Sequence, residues 1–225
     1  MIVAMACSGC GLFDHGDHDA TYVFGDSLTA FASGYVSLAA HDANVKLVIK
    51  AYPGLAPCDI QREATRVLRD DQPRAVLLEF AGNNATPCVH GLTGPALAAA
   101  YDKTVRAIAK VANENDVPLV LLGPPAMHAP RWVTDSPLIS TTYQKIAADT
   151  DGVTFVSLGT TLSPNGWTFR LPCLQSETKS MGCIDGTIRV RNFDGVHWDD
   201  AGADGYSSGS FRYAQVVIGA AKDAA

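Results

Sequence analysis

The stretch Thr21-Tyr22-Val23-Phe24-Gly25-Asp26-Ser27-Leu28 decides how the rest of the chain is read. Residues 21–24 are a short apolar run of the kind a buried strand shows. Gly25 interrupts it. Asp26 and Ser27 each carry a short oxygen-bearing side chain that can cap a helix, and residues 27–40 read as that helix. A strand running straight into a helix, with a serine at the junction, begins an α/β repeat.

The alternation continues outward from this unit. Strands are expected at residues 46–51, 74–80, 117–123 and 154–158, with Ala75-Val76-Leu77-Leu78 the most strand-like run. Helices are expected at residues 59–70, 95–115, 136–149 and 201–221. In the first of these Asp59 is the expected cap, with Ile60, Ala64, Val67 and Leu68 on one face. In the second, Leu97, Tyr101, Val105, Ile108 and Val111 fall near helical spacing. In the third, Pro137 sits in the first turn, where its missing N–H costs nothing. Continuous apolar strands separated by helices predict a five-stranded parallel sheet covered on both faces, a single-domain three-layer α/β/α sandwich.

Composition sets further bounds. The 225 residues are 47% hydrophobic, enough for one domain with a full core. The domain is read as residues 21–225, preceded by a tether at residues 1–20. A net charge of −6 and the lack of a basic stripe exclude nucleic acid as the main partner. No apolar run approaches the ~20 residues of a transmembrane helix. Six cysteines, Cys7, Cys10, Cys58, Cys88, Cys173 and Cys183, point to disulfides and an oxidising compartment. The apolar residues 1–6 and the small residues before Cys7 and Cys10 read as the tail of a lipoprotein signal peptide, with Cys10 as the anchor. Two surface thiols are the alternative. Asp14-His15-Gly16-Asp17-His18-Asp19 holds metal-ligating residue types, but nothing apolar anchors it and no distant ligands are evident. It is read as tether; neither metal nor cofactor is expected.

The chemistry-bearing residues converge. In open α/β sheets ligands bind beyond the carboxyl ends of the strands. Ser27 follows the first expected strand, Gly54 the second and Gly82-Asn83-Asn84 the third, while Asp194-Gly195-Val196-His197 precedes the last helix. Each has an ordinary structural reading. Ser27 or Asp26 can cap a helix, Asp194 and His197 can form an ion pair, and Asn84 tolerates a left-handed turn. Together, a serine, an imidazole and a carboxylate are the minimum set for covalent acyl transfer. The string Gly25-Asp26-Ser27-Leu28-Thr29 lacks the second glycine of the α/β-hydrolase elbow. Residues 164–192 break the βα rhythm and end just before Asp194, so they are expected to wall the substrate site; a plain surface loop is the alternative. Met127, His128, Trp132, Trp167 and Phe169 fall in loops near the same rim, and His128 is a weak competitor to His197.

This set resembles the SGNH (GDSL-type) hydrolase family: Gly25-Asp26-Ser27-Leu28 is similar to its first block, Gly54 to its second, Gly82-x-Asn84 to its third and Asp194-x-x-His197 to its last. The blocks run in the family's order from about residue 21 to 221. Ala85 stands where the family often has Asp, a departure that bears on subfamily more than on activity. The resemblance implies a flavodoxin-like sheet, Ser27 as nucleophile, His197 as base and Asp194 as its orienting carboxylate. It implies an oxyanion hole made of the Ser27 and Gly54 amides and the Asn84 side chain. If the Gly54 and Asn84 loops converge on Ser27, Cys58 and Cys88, each four residues further on, can pair across them. Cys173 would then pair with Cys183. The implied protein is a monomeric bacterial esterase or lipase, secreted or anchored in the envelope, acting on small acyl esters, lipids or acylated glycans. Two alternatives remain: an O-acyltransferase or deacetylase of envelope polysaccharide, and a non-catalytic glycan- or lipid-binding module.

Overall fold

The computed structural model of the chain describes residues 18–199 and 205–224. Cys7, Cys10 and the tether up to residue 17 lie outside the described residues. Five parallel strands form one sheet: β1 (Thr21–Gly25), β2 (Leu47–Ala51), β3 (Ala75–Glu79), β4 (Leu119–Gly123) and β5 (Val153–Ser157), in the order β2-β1-β3-β4-β5. Alternate residues of the central strands enter opposite cores, as a sheet buried on both faces requires. Phe24, Val76, Leu78 and Leu121 pack under α2 (Pro57–Arg66), α3 (Gly94–Glu114) and α4 (Trp132–Asp149). Val23, Leu77, Val120 and Leu122 pack under α1 (Ser27–Asp42), α5 (Leu158–Leu162) and α6 (Ser208–Asp223). The three-layer α/β/α expectation holds.

The chain leaves β1 toward β2 on one side and returns to β3 on the other, so β1 flanks the reversal in strand order where a crevice opens. Ser27 stands two residues past the end of this strand.

Helix boundaries differ from expectation for local reasons. Helix α2 starts at Pro57, and Asp59 reaches back to accept the Ala56 N–H at 2.8 Å rather than capping the helix itself. The helix then closes in one π turn, Val67–Asp71, ended by left-handed Gln72. Helix α4 begins at Trp132, so Pro137 lies inside it rather than in its first turn. The final helix begins at Ser208, not 201; residues 201–204 lie outside the described residues. Its cap is Ser207, whose Oγ accepts the Ser210 N–H at 3.2 Å.

Within the excursion, β6 (Arg170–Pro172) and β7 (Thr187–Arg189) pair antiparallel. A Cys173–Cys183 disulfide closes the connection between them. Leu171, Ile188 and Val190 give this hairpin a small core of its own. Buried Glu177 accepts from Arg212, Ser208 and Tyr206 and ties the hairpin to α6.

Candidate active site

Ser27 is the first residue of α1, and Asp26 is the cap. Asp26 Oδ1 accepts the Leu28 N–H at 2.9 Å, which leaves the Ser27 hydroxyl free to face the loop before α6. Its Oγ lies 2.8 Å from His197 Nε2, and His197 Nδ1 lies 2.6 Å from Asp194 Oδ2. Burial raises the Asp194 pKa, but the His197 ring and the Val196 and His197 backbone amides outweigh it and hold the carboxyl below its ordinary value. An ionised Asp194 fixes the proton on Nδ1 and leaves Nε2 to accept from Ser27.

The loop carrying Asp194 and His197 is held by several backbone and side-chain contacts. Asp194 Oδ1 accepts the Val196 and His197 N–H groups at 2.8 and 2.9 Å, folding the loop around the carboxylate. Gly195 adopts φ +75, and a Cβ there would stand 2.9 Å from the Ala129 nitrogen, so only glycine fits. Trp198 is fully buried and donates its indole N–H to the Leu28 carbonyl at 2.8 Å. This bond joins the residue after His197 to the residue after Ser27. Buried Arg191 donates to the Val196 and Ala126 carbonyls and stacks its guanidinium 4.4 Å from the Trp198 ring. Burial lowers its pKa to about 9. Neither Trp198 nor Arg191 carries a sequence signal beyond its nearness to the Asp-x-x-His string.

On the other side of Ser27 the two adjacent asparagines face different partners. The Asn84 amide donates to the Leu92 carbonyl at 2.8 Å, in an exposed position, and so is turned toward its own loop. The Asn83 amide donates to Asp26 Oδ2 at 2.9 Å and to the Leu55 carbonyl at 3.1 Å. Asp26 and Leu55 are the immediate neighbours of Ser27 and Gly54. Asn83, not Asn84, therefore occupies the junction of the two loops. Gly54 adopts φ +80 in the turn after β2, and a Cβ there would meet open space. Its glycine is required by backbone conformation, not by crowding.

The predicted pair Cys58–Cys88 is bonded, with Cα atoms 6.1 Å apart, and fastens the first turn of α2 to the loop after Asn84. His128 does not compete with His197. It stacks on Trp167 at 4.6 Å, and its backbone N–H donates to the Gly195 carbonyl at 2.8 Å. Phe169 packs 5.0 Å from Phe193, the residue before Asp194. The excursion thus braces the loop of Asp194 and His197 from outside. Trp132 stacks under Arg131 at 4.0 Å, and Met127 is buried in the core.

Beneath Ser27 lies a buried carboxyl that no motif announced. Glu79, at the end of β3, accepts from Thr29 Oγ1 at 2.9 Å and from the Asp26 N–H at 3.4 Å. Thr29 Oγ1 also lies 2.6 Å from the Tyr213 hydroxyl of α6. Burial, then the adjacent Asp26 charge, pushes the Glu79 carboxyl well above its ordinary value. Burial also raises Asp26, against the opposing Ala81 and Leu28 amides. Two carboxyls this close cannot both ionise in a dry site. Asp26 faces the amide donors, so the proton resides on Glu79.

Residues 20–208 match the family described as "Protein of unknown function (DUF459)". No curated protein matches the sequence. Among solved structures, the chain is similar to a lipase/acylhydrolase from Enterococcus faecalis (16% identity, 91% of this chain and 96% of that chain covered, TM-score 0.59). It is also similar to a GDSL-like lipase from Bacteroides thetaiotaomicron (13%, 92% and 90%, 0.60). A third similar structure is the C-terminal catalytic domain of a peptidoglycan O-acetyltransferase from Streptococcus pneumoniae, bearing a methylsulfonyl adduct (15%, 93% and 96%, 0.59). At these identities the likeness is one of fold, and the fold is that of the SGNH (GDSL-type) hydrolases.

Proposed function

The chain belongs to the DUF459 family, and from that premise we propose that it is a serine carboxylester hydrolase working through a Ser27 acyl-enzyme. The observation that carries this reading is the continuous path from Ser27 Oγ through His197 to Asp194, at 2.8 and 2.6 Å. Both contacts lie within reach for proton transfer.

In the first step Ser27 Oγ attacks the ester carbonyl carbon while His197 Nε2 takes its proton. Asp194 stabilises the resulting imidazolium. The carbonyl oxygen becomes an oxyanion, for which the Ser27 and Gly54 amides and the Asn83 side chain are the assigned donors. Asn83 exchanges its bond to the Leu55 carbonyl for one to the oxyanion. When the intermediate collapses, the C–O bond to the alcohol breaks and His197 returns the proton to the departing oxygen. Water then attacks acyl-Ser27, with His197 again as base, and releases the acid. No step needs a metal or cofactor. The same acyl-enzyme can pass its acyl group to a sugar hydroxyl instead of water, and product analysis with and without a glycan acceptor separates the two outcomes.

The two disulfides among the described residues support a location outside the reducing cytoplasm. No helix among the described residues is long and apolar enough to cross a membrane. The Cys10 anchor remains a proposal from sequence; mass analysis of the mature N-terminus tests it. For the activity itself, the purified protein is expected to hydrolyse a short-chain nitrophenyl ester, and Ser27→Ala to abolish that turnover. Equal turnover by Ser27→Ala would refute the reading.

A further inference from the structure

Phe31 lies one helical turn beyond Ser27 on α1. Side chains on a helix lean toward its N-terminus, so residue i+4 lies over residue i on the same face. Phe31 accordingly reaches back beside the nucleophile and lays its ring against the imidazole of His197. The two centroids are 4.5 Å apart and the planes differ by 16°. The phenyl is nevertheless 52% exposed. An isolated exposed apolar side chain is unremarkable; one held parallel to the ring that moves the proton, with half its surface still open, has a defined neighbour in the reaction.

That neighbour follows from the chemistry of His197. In acylation Nε2 delivers its proton to the alcohol oxygen as the ester C–O bond breaks, so the first atoms of the alcohol must lie next to Nε2 when the bond opens. The acyl half remains bonded to Ser27. Phe31 covers one face of the imidazole from the same helix face that carries Ser27, so its uncovered surface borders the space into which the alcohol departs. A flat aromatic surface is best matched by another flat, rigid surface. A ring-shaped alcohol meets it over a broad face and loses little rotameric freedom on doing so, whereas a linear chain must be ordered bond by bond.

We propose that Phe31 is a specificity-determining residue that forms the subsite for the alcohol half of the ester and selects alcohols presenting a flat ring face, a pyranose or a carbocycle. The assignment rests on the Ser27 acyl-enzyme reading. It makes a separable demand: Phe31 acts on acylation only, because the alcohol has left before water attacks.

The test uses acetyl esters that share one acyl group and differ in the alcohol: cyclohexyl acetate, a methyl glycopyranoside monoacetate and n-hexyl acetate. Wild type, Phe31→Ala and Phe31→Leu are compared in kcat/KM, which reports acylation, and in the rate at which pre-formed acetyl-enzyme hydrolyses. Loss of a ring–ring contact is expected to lower kcat/KM for one or both ring alcohols about three- to ten-fold in Phe31→Ala, with Phe31→Leu intermediate. The arm with the larger loss names the ring as sugar or carbocycle. Hexyl acetate is expected to change by less than about two-fold, with acetyl-enzyme hydrolysis unchanged. An equal loss for all three esters together with slower acetyl-enzyme hydrolysis would assign Phe31 to orienting His197 and overturn the subsite. Unchanged kinetics would overturn it too. Wild-type protein that turns over none of the esters and forms no acetyl-enzyme removes the Ser27 reading, and the proposal with it.

Discussion

Asn83 and Asn84 are the same residue type, adjacent in the chain, and differ only in what their amides meet. Asn83 is held between Asp26 and Leu55, while Asn84 is spent on Leu92. An oxyanion donor typically contributes ~10²–10³ in kcat. Asn83→Ala is therefore expected to lose that much in steady-state ester hydrolysis, and Asn84→Ala no more than about three-fold. The reverse order would restore Asn84 to the role the family resemblance implies for it. Asp194 belongs to the same scale. Asp194→Asn keeps the shape of the side chain but removes the charge that fixes the His197 tautomer, and kcat is expected to drop by up to ~10⁴. The grouping of Ser27, Asp194 and His197 was legible because the proposed acyl transfer names its residue types and their strand-end positions. The choice between two asparagines was not, because it depends on hydrogen-bond partners far along the chain or on the next turn of a loop.

At the scale of elements, the first turn of α1 rests on a buried carboxyl at the end of β3. Glu79 has its pKa raised in the folded protein. The folded state therefore binds a proton that the unfolded chain releases once pH passes the ordinary glutamate value, near 4.3. Its contribution is fully present below that value and is lost as pH rises toward the folded pKa. Glu79→Gln keeps a neutral polar group there, so its melting temperature should fall less steeply between pH 5 and neutrality than that of wild type. Parallel melting curves for the two proteins across that window would contradict the assigned protonation. The Cys58–Cys88 bond acts on the neighbouring loops. It closes a segment with sequence separation 30, and the chain-entropy view gives about 3–4 kcal/mol for a loop of that size. Cys58→Ser with Cys88→Ser is expected to unfold at lower denaturant by that margin and to lose kcat more than KM. The sequence marked this pair only through the resemblance, since six cysteines allow fifteen full pairings. Helix starts were less legible. Trp132 opens α4 ahead of an interior Pro137, and Ser207 caps α6 well after residue 201. In both, tertiary packing overrides the local start signal.

Across the whole molecule, the strand order β2-β1-β3-β4-β5 places Ser27 where the winding reverses, and two loops from distant parts of the chain close on it. The α/β sandwich was legible because the central strands β1, β3 and β4 are nearly continuous apolar runs and the long helices between the strands carry apolar faces. The inner scaffolding of Trp198, Arg191 and Glu79 was not, since a buried tryptophan, arginine or glutamate has no spacing signature and is recognised only by the carbonyls and hydroxyls it meets. The central claim is that this scaffold makes Ser27, among the many serines of the chain, the one nucleophile. Treatment of the intact protein with a serine-reactive fluorophosphonate, followed by peptide mass analysis, tests it most directly. The account predicts a single adduct on the peptide containing Ser27, lost in His197→Ala. An unlabelled Ser27 peptide, or label spread over other serines, would contradict it.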